Sequence, residues 1–290
     1  MSFVKRNIVL QFSNNKGTDE INLSGLRSVV TVTNPGGNNS YGALVLKVYG
    51  MTLDQMNTYS STGANFTALS NQSITVSAGS EGSVPLQIFS GTLRRSYIDF
   101  SNIPDVAFVC EATSGLFQKV KPIDSLQSKG NANAEDLIKA LAESNGFGFT
   151  NAVGDSAAHF VLQNQYAEGS AISQIETIAS ASNFAIAIEN NRVYIWANGK
   201  TRDDTIINVN EYTGMVGYPS YWDAGLIVKQ EFNGSVLTGR QIQLDSIIPK
   251  SKGLWNIIST THELSTIIAD GPWFTTSKLA WKETPNVPNN

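Results

Sequence analysis

The feature that most constrains this chain is a series of short β-branched and aromatic runs, each ended by turn-forming residues. Before residue 125 these runs are residues 7–12, 29–33, 42–49, 73–77, 84–89 and 92–100. The second run stops at Asn34-Pro35-Gly36-Gly37, a sequence typical of a turn. Short strands at regular spacing indicate a sandwich or a small barrel. We therefore predict a first β-barrel domain over residues 1–125, interrupted by a short helix that Thr52 caps.

Residues 126–204 show a different pattern, in which helical and strand periodicities alternate. Asn133 is predicted to cap one amphipathic helix, and a second helix is predicted to begin near Ser170. Asn190-Asn191 separates two apolar β runs, and asparagine tolerates positive φ, so this pair predicts a tight hairpin. The segment is expected to be a small α+β insert.

Strand-like runs return after residue 205, at residues 226–230, 241–244, 256–260 and 275–279. They predict a second β-barrel domain over residues 205–282. Residues 283–290 contain two prolines and three asparagines without apolar periodicity, which predicts a flexible tail. The predicted fold class is mainly β with an α+β insert, in which two β-barrel domains flank a small α/β module.

Charge and apolar content exclude several classes of function. The net charge is −4 and no basic run is longer than Arg94-Arg95, whereas nucleic-acid-binding proteins cluster their cations. No apolar run approaches the ~20 residues that span a membrane, and no apolar segment follows Lys5 and Arg6 as in a signal peptide. The lone Cys110 lies in an apolar run and is predicted to be an inert core thiol, in a protein that folds in a reducing cytoplasm.

Residues suited to catalysis or metal binding are few. With one cysteine, the two distant histidines, His159 and His262, nearly exclude a zinc site. His159 follows Asp155-Ser156, but no nucleophile elbow accompanies them, so it is expected to be a loop or surface residue. Asp203-Asp204 is predicted to be a solvated turn. We therefore predict no catalytic residue, cofactor or metal, and no enzymatic activity.

One aromatic segment requires a separate interpretation. Tyr218, Tyr221 and Trp222 lie within five residues that also include a proline. Tyrosine and tryptophan are enriched at protein contacts, so the segment is a candidate partner interface. Core packing and stacking against a sugar are the alternatives that the sequence leaves open.

Several short motifs occur along the chain in the same order as in a known protein family. The segments are residues 43–57, 76–80, 89–93, 104–108, 134–146, 239–244, 253–264 and 273–276. Together they resemble the baseplate hub proteins of contractile-tailed bacteriophages, where a strand, a Tyr-Gly-Leu sequence and a helix precede a V-x-A-G-Y turn. Ser80 departs from that pattern, because an aromatic residue is common there, and Glu263-Leu264 departs from the usual acidic spacing.

The resemblance implies tail-tube-like barrels on both sides of the insert and a homotrimer whose six barrels form a pseudo-sixfold ring. It implies docking of the tail tube or tube-initiator proteins on one face, of the central spike on the other, and contacts with other baseplate proteins. His262 is structural in this family. The expected location is the tail baseplate of the virion, after assembly in the host cytoplasm, with transient DNA passage and no membrane insertion.

Two other functions stay open on the sequence. A carbohydrate-binding or adhesin-type baseplate module would expose an aromatic platform, and a hydrolase would bring carboxylates together in a concave pocket. If the chain does form a ring, its net charge of −4 favours a bore lined by Asp, Glu, Asn, Ser and Thr rather than by Lys and Arg.

Overall fold

A large antiparallel sheet organises the chain. The computed structural model describes residues 5–14, 20–36, 41–61, 72–154 and 160–281. Within these ranges the main sheet has 13 strands, and three smaller sheets belong to the middle of the chain. The predicted fold class, mainly β with an α+β insert, is confirmed. The predicted tail, residues 283–290, lies outside the described residues.

Over the residues that the structure describes, the first part is a set of strands with one short helix. Its strands are β1 (Arg6–Ser13), β2 (Glu20–Ser24), β3 (Ser28–Asn34), β4 (Ala43–Tyr49), β5 (Ser73–Ser80), β6 (Leu86–Asp99) and β7 (Ala107–Thr113). Helix α1 (Leu53–Tyr59) follows β4, and the predicted cap is confirmed: the Thr52 hydroxyl accepts a hydrogen bond from the Gln55 backbone N–H at 3.2 Å. The Gln55 side chain accepts one in return from the Thr52 N–H at 3.0 Å, which completes a capping box.

Strand β6 corrects one prediction. The runs at residues 84–89 and 92–100 were expected to be two strands, but Leu86–Asp99 is continuous. Gly91 makes this possible, because a Cβ there would lie 2.7 Å from the backbone of Thr113 on β7. Glycine thus lets two strands approach closely instead of ending one of them.

The middle part combines helices with small sheets, as predicted. Its elements are α2 (Leu116–Val120), β8 (Leu126–Gln127), β9 (Asn131–Asn133), α3 (Ala134–Ser144), β10 (Gly148–Asn151), β11 (Val161–Gln163), β12 (Tyr166–Ala167), α4 (Ala171–Ala181), β13 (Phe184–Glu189) and β14 (Arg192–Ala197). Asn133 caps α3, and Ser170 caps α4. The hairpin prediction is confirmed, with Asn190 at φ 53° and Asn191 at φ 57°, the combination that a type I′ turn requires.

The last part returns to β structure. Its strands are β15 (Ile206–Val209), β16 (Ser220–Trp222), β17 (Gly225–Glu231), β18 (Gln241–Leu244), β19 (Gly253–Thr266) and β20 (Trp273–Trp281), with a 3₁₀ turn at Pro249–Ser251. β19 and β20 extend beyond the runs predicted at residues 256–260 and 275–279. Residues 262–266 extend β19 because they pair with β3, a partner more than 200 residues away.

That pairing joins the first and last parts. Seven residue pairs connect β3 to β19 in antiparallel register, from Thr260–Asn34 to Thr266–Ser28. The resulting strand order is β16-β17-β20-β19-β3-β4-β7-β6-β5-β1-β2. The described residues form three apolar cores: one built around Phe12 and Phe108, one around Ile138 and Ile172, and one around Trp255. The closure of barrels and the boundaries after residues 125 and 204 stay predictions.

A buried ion pair of the insert lies against the last part, where Arg202 also donates to the Thr238 carbonyl at 3.4 Å. Arg202 donates to Glu189 on β13 at 2.6 Å, and each residue is about 5% exposed. The guanidinium of Arg202 also lies 3.4 Å from the ring centroid of Tyr194. Beside it, Arg240 donates to both carboxylate oxygens of Asp203, at 3.0 and 2.8 Å. Asp204 is exposed, as expected for a solvated turn. Asp203 is only partly exposed, because its charge partner Arg240 comes from a distant loop that the sequence does not place next to it.

Candidate subunit interface

The predicted aromatic segment lies at one edge of the main sheet. Tyr218 and Tyr221 are 66% and 61% exposed, so core packing is wrong for both. Trp222 is half-buried on β16, and its indole N–H donates to the Leu279 carbonyl at 3.2 Å. The ammonium of Lys278 lies 5.4 Å from its ring centroid. Trp222 thus fixes the edge strand to the sheet while the two tyrosines face solvent, and their role as a partner interface stays a prediction.

Tyr218 also borders a cleft that sequence reasoning missed. The cleft measures ≈ 400 Å³, and exposed Tyr212 and Ile247 line it together with Tyr218. Met215 lines it as well and packs against the third core. These side chains meet because β15 and β18 pair in parallel and their following loops leave the sheet at the same end. The strand at residues 241–244 was predicted, but no local pattern in the sequence identifies residues 206–209 as its parallel partner.

Hydrogen bonds shape the loop that carries Tyr212. The side-chain oxygen of Asn210 accepts from the backbone N–H groups of Tyr212 at 2.8 Å and Thr213 at 3.0 Å. This Asx turn holds Tyr212 outward, 88% exposed. A hydrogen bond with Glu211 raises the pKa of Tyr212. The cleft therefore presents exposed aromatic side chains beside the charged residues Glu211, Asp245 and Lys252.

The second feature is the open face, defined as the side of β17, β20, β19, β3, β4 and β7 that points away from the cores. Neighbouring residues in register form rows across it. One row is Lys229, Thr276, Thr261, Thr33, Ala43 and Thr113. The next is Glu231, Phe274, Glu263, Thr31, Val45 and Glu111. The first row is thus mostly threonine, whereas the second combines three glutamates with one threonine and two apolar residues.

Acidic groups neutralise several cations of the open face. Lys229 lies 3.9 Å from Glu263, and Arg94 pairs with Glu111. Lys47 donates to Asp99 at 2.8 Å, and this bond, with those from Ser101, holds the pKa of Asp99 well below its usual range. These pairs lie at or near the surface, where ion pairs contribute little stability. These ion pairs instead reduce the number of positive charges on this surface that are available to bind phosphate groups.

The groups that could have supplied chemistry are buried or not described. His262 donates to or accepts from the Thr275 hydroxyl at 2.9 Å, and burial lowers its pKa to about 4. Burial also raises the pKa of the Cys110 thiol, which leaves it protonated and inert, as predicted. His159 lies outside the described residues. Over the ranges that the structure describes, no three His, Cys, Asp or Glu side chains cluster as a metal site, and no helix is long and apolar enough to cross a membrane.

The architecture is that of tail proteins. A 43 kDa tail protein of prophage MuSo2 from Shewanella oneidensis aligns with a TM-score of 0.59 at 8% identity, covering 94% of this chain and 98% of that one. A tail protein from Neisseria meningitidis gives 0.61 at 9% identity, covering 94% and 96%. The Escherichia coli c3393 protein, a type VI secretion component described as similar to T4 tail proteins gp27 and gp5, gives 0.58 at 9%, covering 93% and 76%. Identities this low establish the fold alone.

The family is established at the sequence level. The model of the family described as baseplate hub gp41 matches residues 20–276, which is most of the chain. The chain therefore belongs to the baseplate hub gp41 family and has a structural role in the phage baseplate. No curated protein matches the sequence.

Proposed function

We propose that three copies of this chain form a hub ring that adapts a sixfold tail tube to a threefold central spike. The observation that carries this proposal is the β3–β19 pairing, which places two β cores along one continuous sheet. Three such chains supply six β cores, the number that a sixfold tube needs. Closed rings of identical subunits also follow the usual symmetry of soluble oligomers. The ring assembles in the host cytoplasm, contacts other baseplate proteins and acts without catalysis.

The subunit contact is assigned to the β16 edge and the neighbouring cleft. Tyr218, Tyr221 and Trp222 lie on or beside this edge, and Tyr212 with Ile247 extends the apolar surface. Exposed tyrosines are common anchors of protein contacts because they bury a large area with few rotatable bonds. An unpaired strand edge also favours a protein partner over a small ligand.

The open face is assigned to the bore through which DNA passes. Its threonine row and its paired cations give a duplex few free positive charges to bind. Binding through phosphates would strengthen steeply as salt falls. The assembled ring is therefore expected to retain no duplex DNA at low salt, and salt-dependent retention in a gel-shift assay would contradict this assignment.

The main test is the mass of the purified protein by light scattering. The unaltered chain is expected to give a trimer, and the double variant Tyr218→Ala/Tyr221→Ala is expected to give a folded monomer with an unchanged circular dichroism spectrum. Tyr166→Ala is the matched control, since Tyr166 is also exposed but lies on the insert. It is expected to stay trimeric.

Three results would reject parts of the proposal. A monomeric unaltered chain would remove the ring. Binding to a glycan array that the double variant loses would favour the adhesin-type alternative. A lysis band in a cell-wall zymogram would contradict the role without catalysis.

A further inference from the structure

The end of strand β20 lies next to the ≈ 400 Å³ cleft that Tyr218 borders, named the aromatic cleft below. Trp281 is the last residue of this strand and packs on Trp255 with ring centroids 4.0 Å apart. The indole N–H of Trp255 donates to the Ser251 carbonyl at 2.9 Å, and the next residue, Lys252, lines the aromatic cleft. The chain that follows Trp281 therefore starts beside this cleft.

Residues 282–290, the C-terminal segment, are numerous enough to reach across the aromatic cleft. They lie outside the described residues, and their sequence is Lys-Glu-Thr-Pro-Asn-Val-Pro-Asn-Asn. The cleft is formed by the loops after β15 and β18, and β20, β19, β18 and β15 are successive neighbours in the sheet. Neighbouring strands lie about 5 Å apart, so the far wall of the cleft is about 15 Å from the end of β20. A polyproline II segment of this length spans about 28 Å.

The prolines of the C-terminal segment suit a surface of exposed aromatic rings. Pro285 and Pro288 are three residues apart, and polyproline II has three residues per turn, so in that conformation both rings share one side. Proline-rich segments with this spacing bind grooves lined by aromatic side chains, because little entropy is lost when they are fixed. The aromatic cleft supplies two mostly exposed rings, Tyr212 and Tyr218, next to exposed Ile247.

The charges of the cleft and of the segment also correspond. The wall of the aromatic cleft carries two acids and one cation, Glu211, Asp245 and Lys252. The C-terminal segment begins with one cation and one anion, Lys282 and Glu283. Each charge of the segment thus has an opposite charge at the cleft, and such exposed pairs contribute specificity more than affinity.

We propose that the C-terminal segment binds in the aromatic cleft of its own chain, with Pro285 and Pro288 on the rings of Tyr212 and Tyr218. The cleft belongs to the surface that we assign to the subunit contact, and only the effect on assembly rests on that assignment. In the free subunit the segment covers the exposed aromatic side chains, and it leaves the cleft when a neighbouring subunit binds. A cleft that is open in about one copy in ten weakens the association of subunits about tenfold.

Methyl signals of methionine in NMR spectra test the contact. Met215 lines the aromatic cleft, whereas Met51 and Met56 belong to the first core and serve as internal controls. A spin label can be attached at Asn289→Cys alone, because the thiol of Cys110 is buried. In a full chain that carries both this label and ¹³C-methyl methionine, the Met215 signal is expected to be lost while those of Met51 and Met56 stay sharp.

Variants of the C-terminal segment separate binding from mere proximity. Pro285→Gly/Pro288→Gly keeps the length of the segment but removes both rings, so the Met215 signal is expected to return. Asn286→Ala is the matched control, because residue 286 does not share the side of the two prolines, and the signal is expected to stay lost. Equal Met215 signals in the three chains would indicate a flexible tail that makes no contact, and would overturn the proposal.

Dilution until light scattering gives a monomer makes this measurement independent of the ring. A mixed sample, with the spin label and the ¹³C label on different chains, is expected to keep the Met215 signal. Its loss there would assign the cleft to the segment of another copy and reject binding within one chain.

Assembly provides the second measurement. The double variant Pro285→Gly/Pro288→Gly is expected to form the trimer with a dissociation constant about tenfold lower than that of Asn286→Ala. Weaker assembly of the double variant would contradict the proposal. A chain that stays monomeric at every concentration would reject the ring, and the Met215 signal would still decide whether the segment binds.

Discussion

The two junctions of the molecule are built on opposite principles. Where the insert meets the last part, buried Arg202 contacts Glu189, the Thr238 carbonyl and the ring of Tyr194. Where the first and last parts meet, the core side of the sheet is also polar, but the side chains of Thr260 and Ser277 have buried oxygens without partners among the described residues. Buried polar groups that have partners favour one geometry of a junction, whereas buried polar groups without partners lower the stability of the fold.

The largest expected effect comes from breaking the satisfied junction. Arg202→Met leaves the Glu189 carboxylate buried and unpaired, and it is expected to reduce the free energy of unfolding by ~3–5 kcal/mol. Chemical denaturation followed by circular dichroism measures this. Lys252→Met is the control, because its pair with Asp245 is exposed and is expected to contribute less than ~1 kcal/mol. Equal effects for the two variants would show that burial of the first pair has no consequence.

The next largest effect is the pH dependence of stability at the junction of the first and last parts, where His262 lies. His262 is buried as the neutral imidazole, and its pKa of about 4 lies below the ordinary value of 6.5. The unfolded chain therefore binds a proton first as the pH falls. The stability from His262 is complete above pH 6.5 and is lost between pH 6.5 and 4, by ~3 kcal/mol.

His262→Leu is expected to remove this part of the pH dependence. Urea midpoints measured across that pH range, for the variant and the unaltered chain, isolate it. If the urea midpoints of the variant and the unaltered chain changed equally with pH, His262 would be protonated as readily in the folded chain as in the unfolded chain.

The smallest effect contrasts two threonines on paired strands of the same junction. Thr275→Val removes a hydroxyl that bonds His262 and accepts from the Asn233 N–H, so it is expected to destabilise by ~1–2 kcal/mol. Thr260→Val removes a hydroxyl without a described partner and is expected to be neutral or stabilising by up to ~1 kcal/mol. Thermal melts of the two variants give the comparison directly. If Thr275→Val and Thr260→Val destabilised the chain equally, the absence of a partner for the Thr260 hydroxyl would have no effect on stability.

The parts of the structure that depend on neighbouring residues were predictable from the sequence. Thr52, Asn133 and Asn190-Asn191 act through bonds or dihedral angles within a few residues, so their effects could be recognised. The two-residue strands β8 and β12 gave no periodicity to detect. Short elements of this kind form because a distant segment completes their hydrogen bonds.

The candidate interface was only partly predictable for the same reason. Tyr218, Tyr221 and Trp222 are adjacent in sequence, and their aromatic density indicated a contact surface. Tyr212 and Ile247 join them only because β15 and β18 pair. The partner of Asp203 likewise depends on tertiary placement, which no local pattern encodes.

The β3–β19 pairing has a consequence for synthesis on the ribosome. Strand β3 pairs on one side with β4, which follows soon after it, but its other side waits for β19, more than 200 residues later. A growing chain therefore exposes an open β-edge until the last strands emerge, and contacts of such high sequence separation form slowly. Translation must pass residue 266 before β3 and β19 can pair, so copies made on one messenger are exposed to premature pairing with each other. Chaperone demand during expression should accordingly fall when residues 253–281 are supplied early, as in a circular permutant that begins with them.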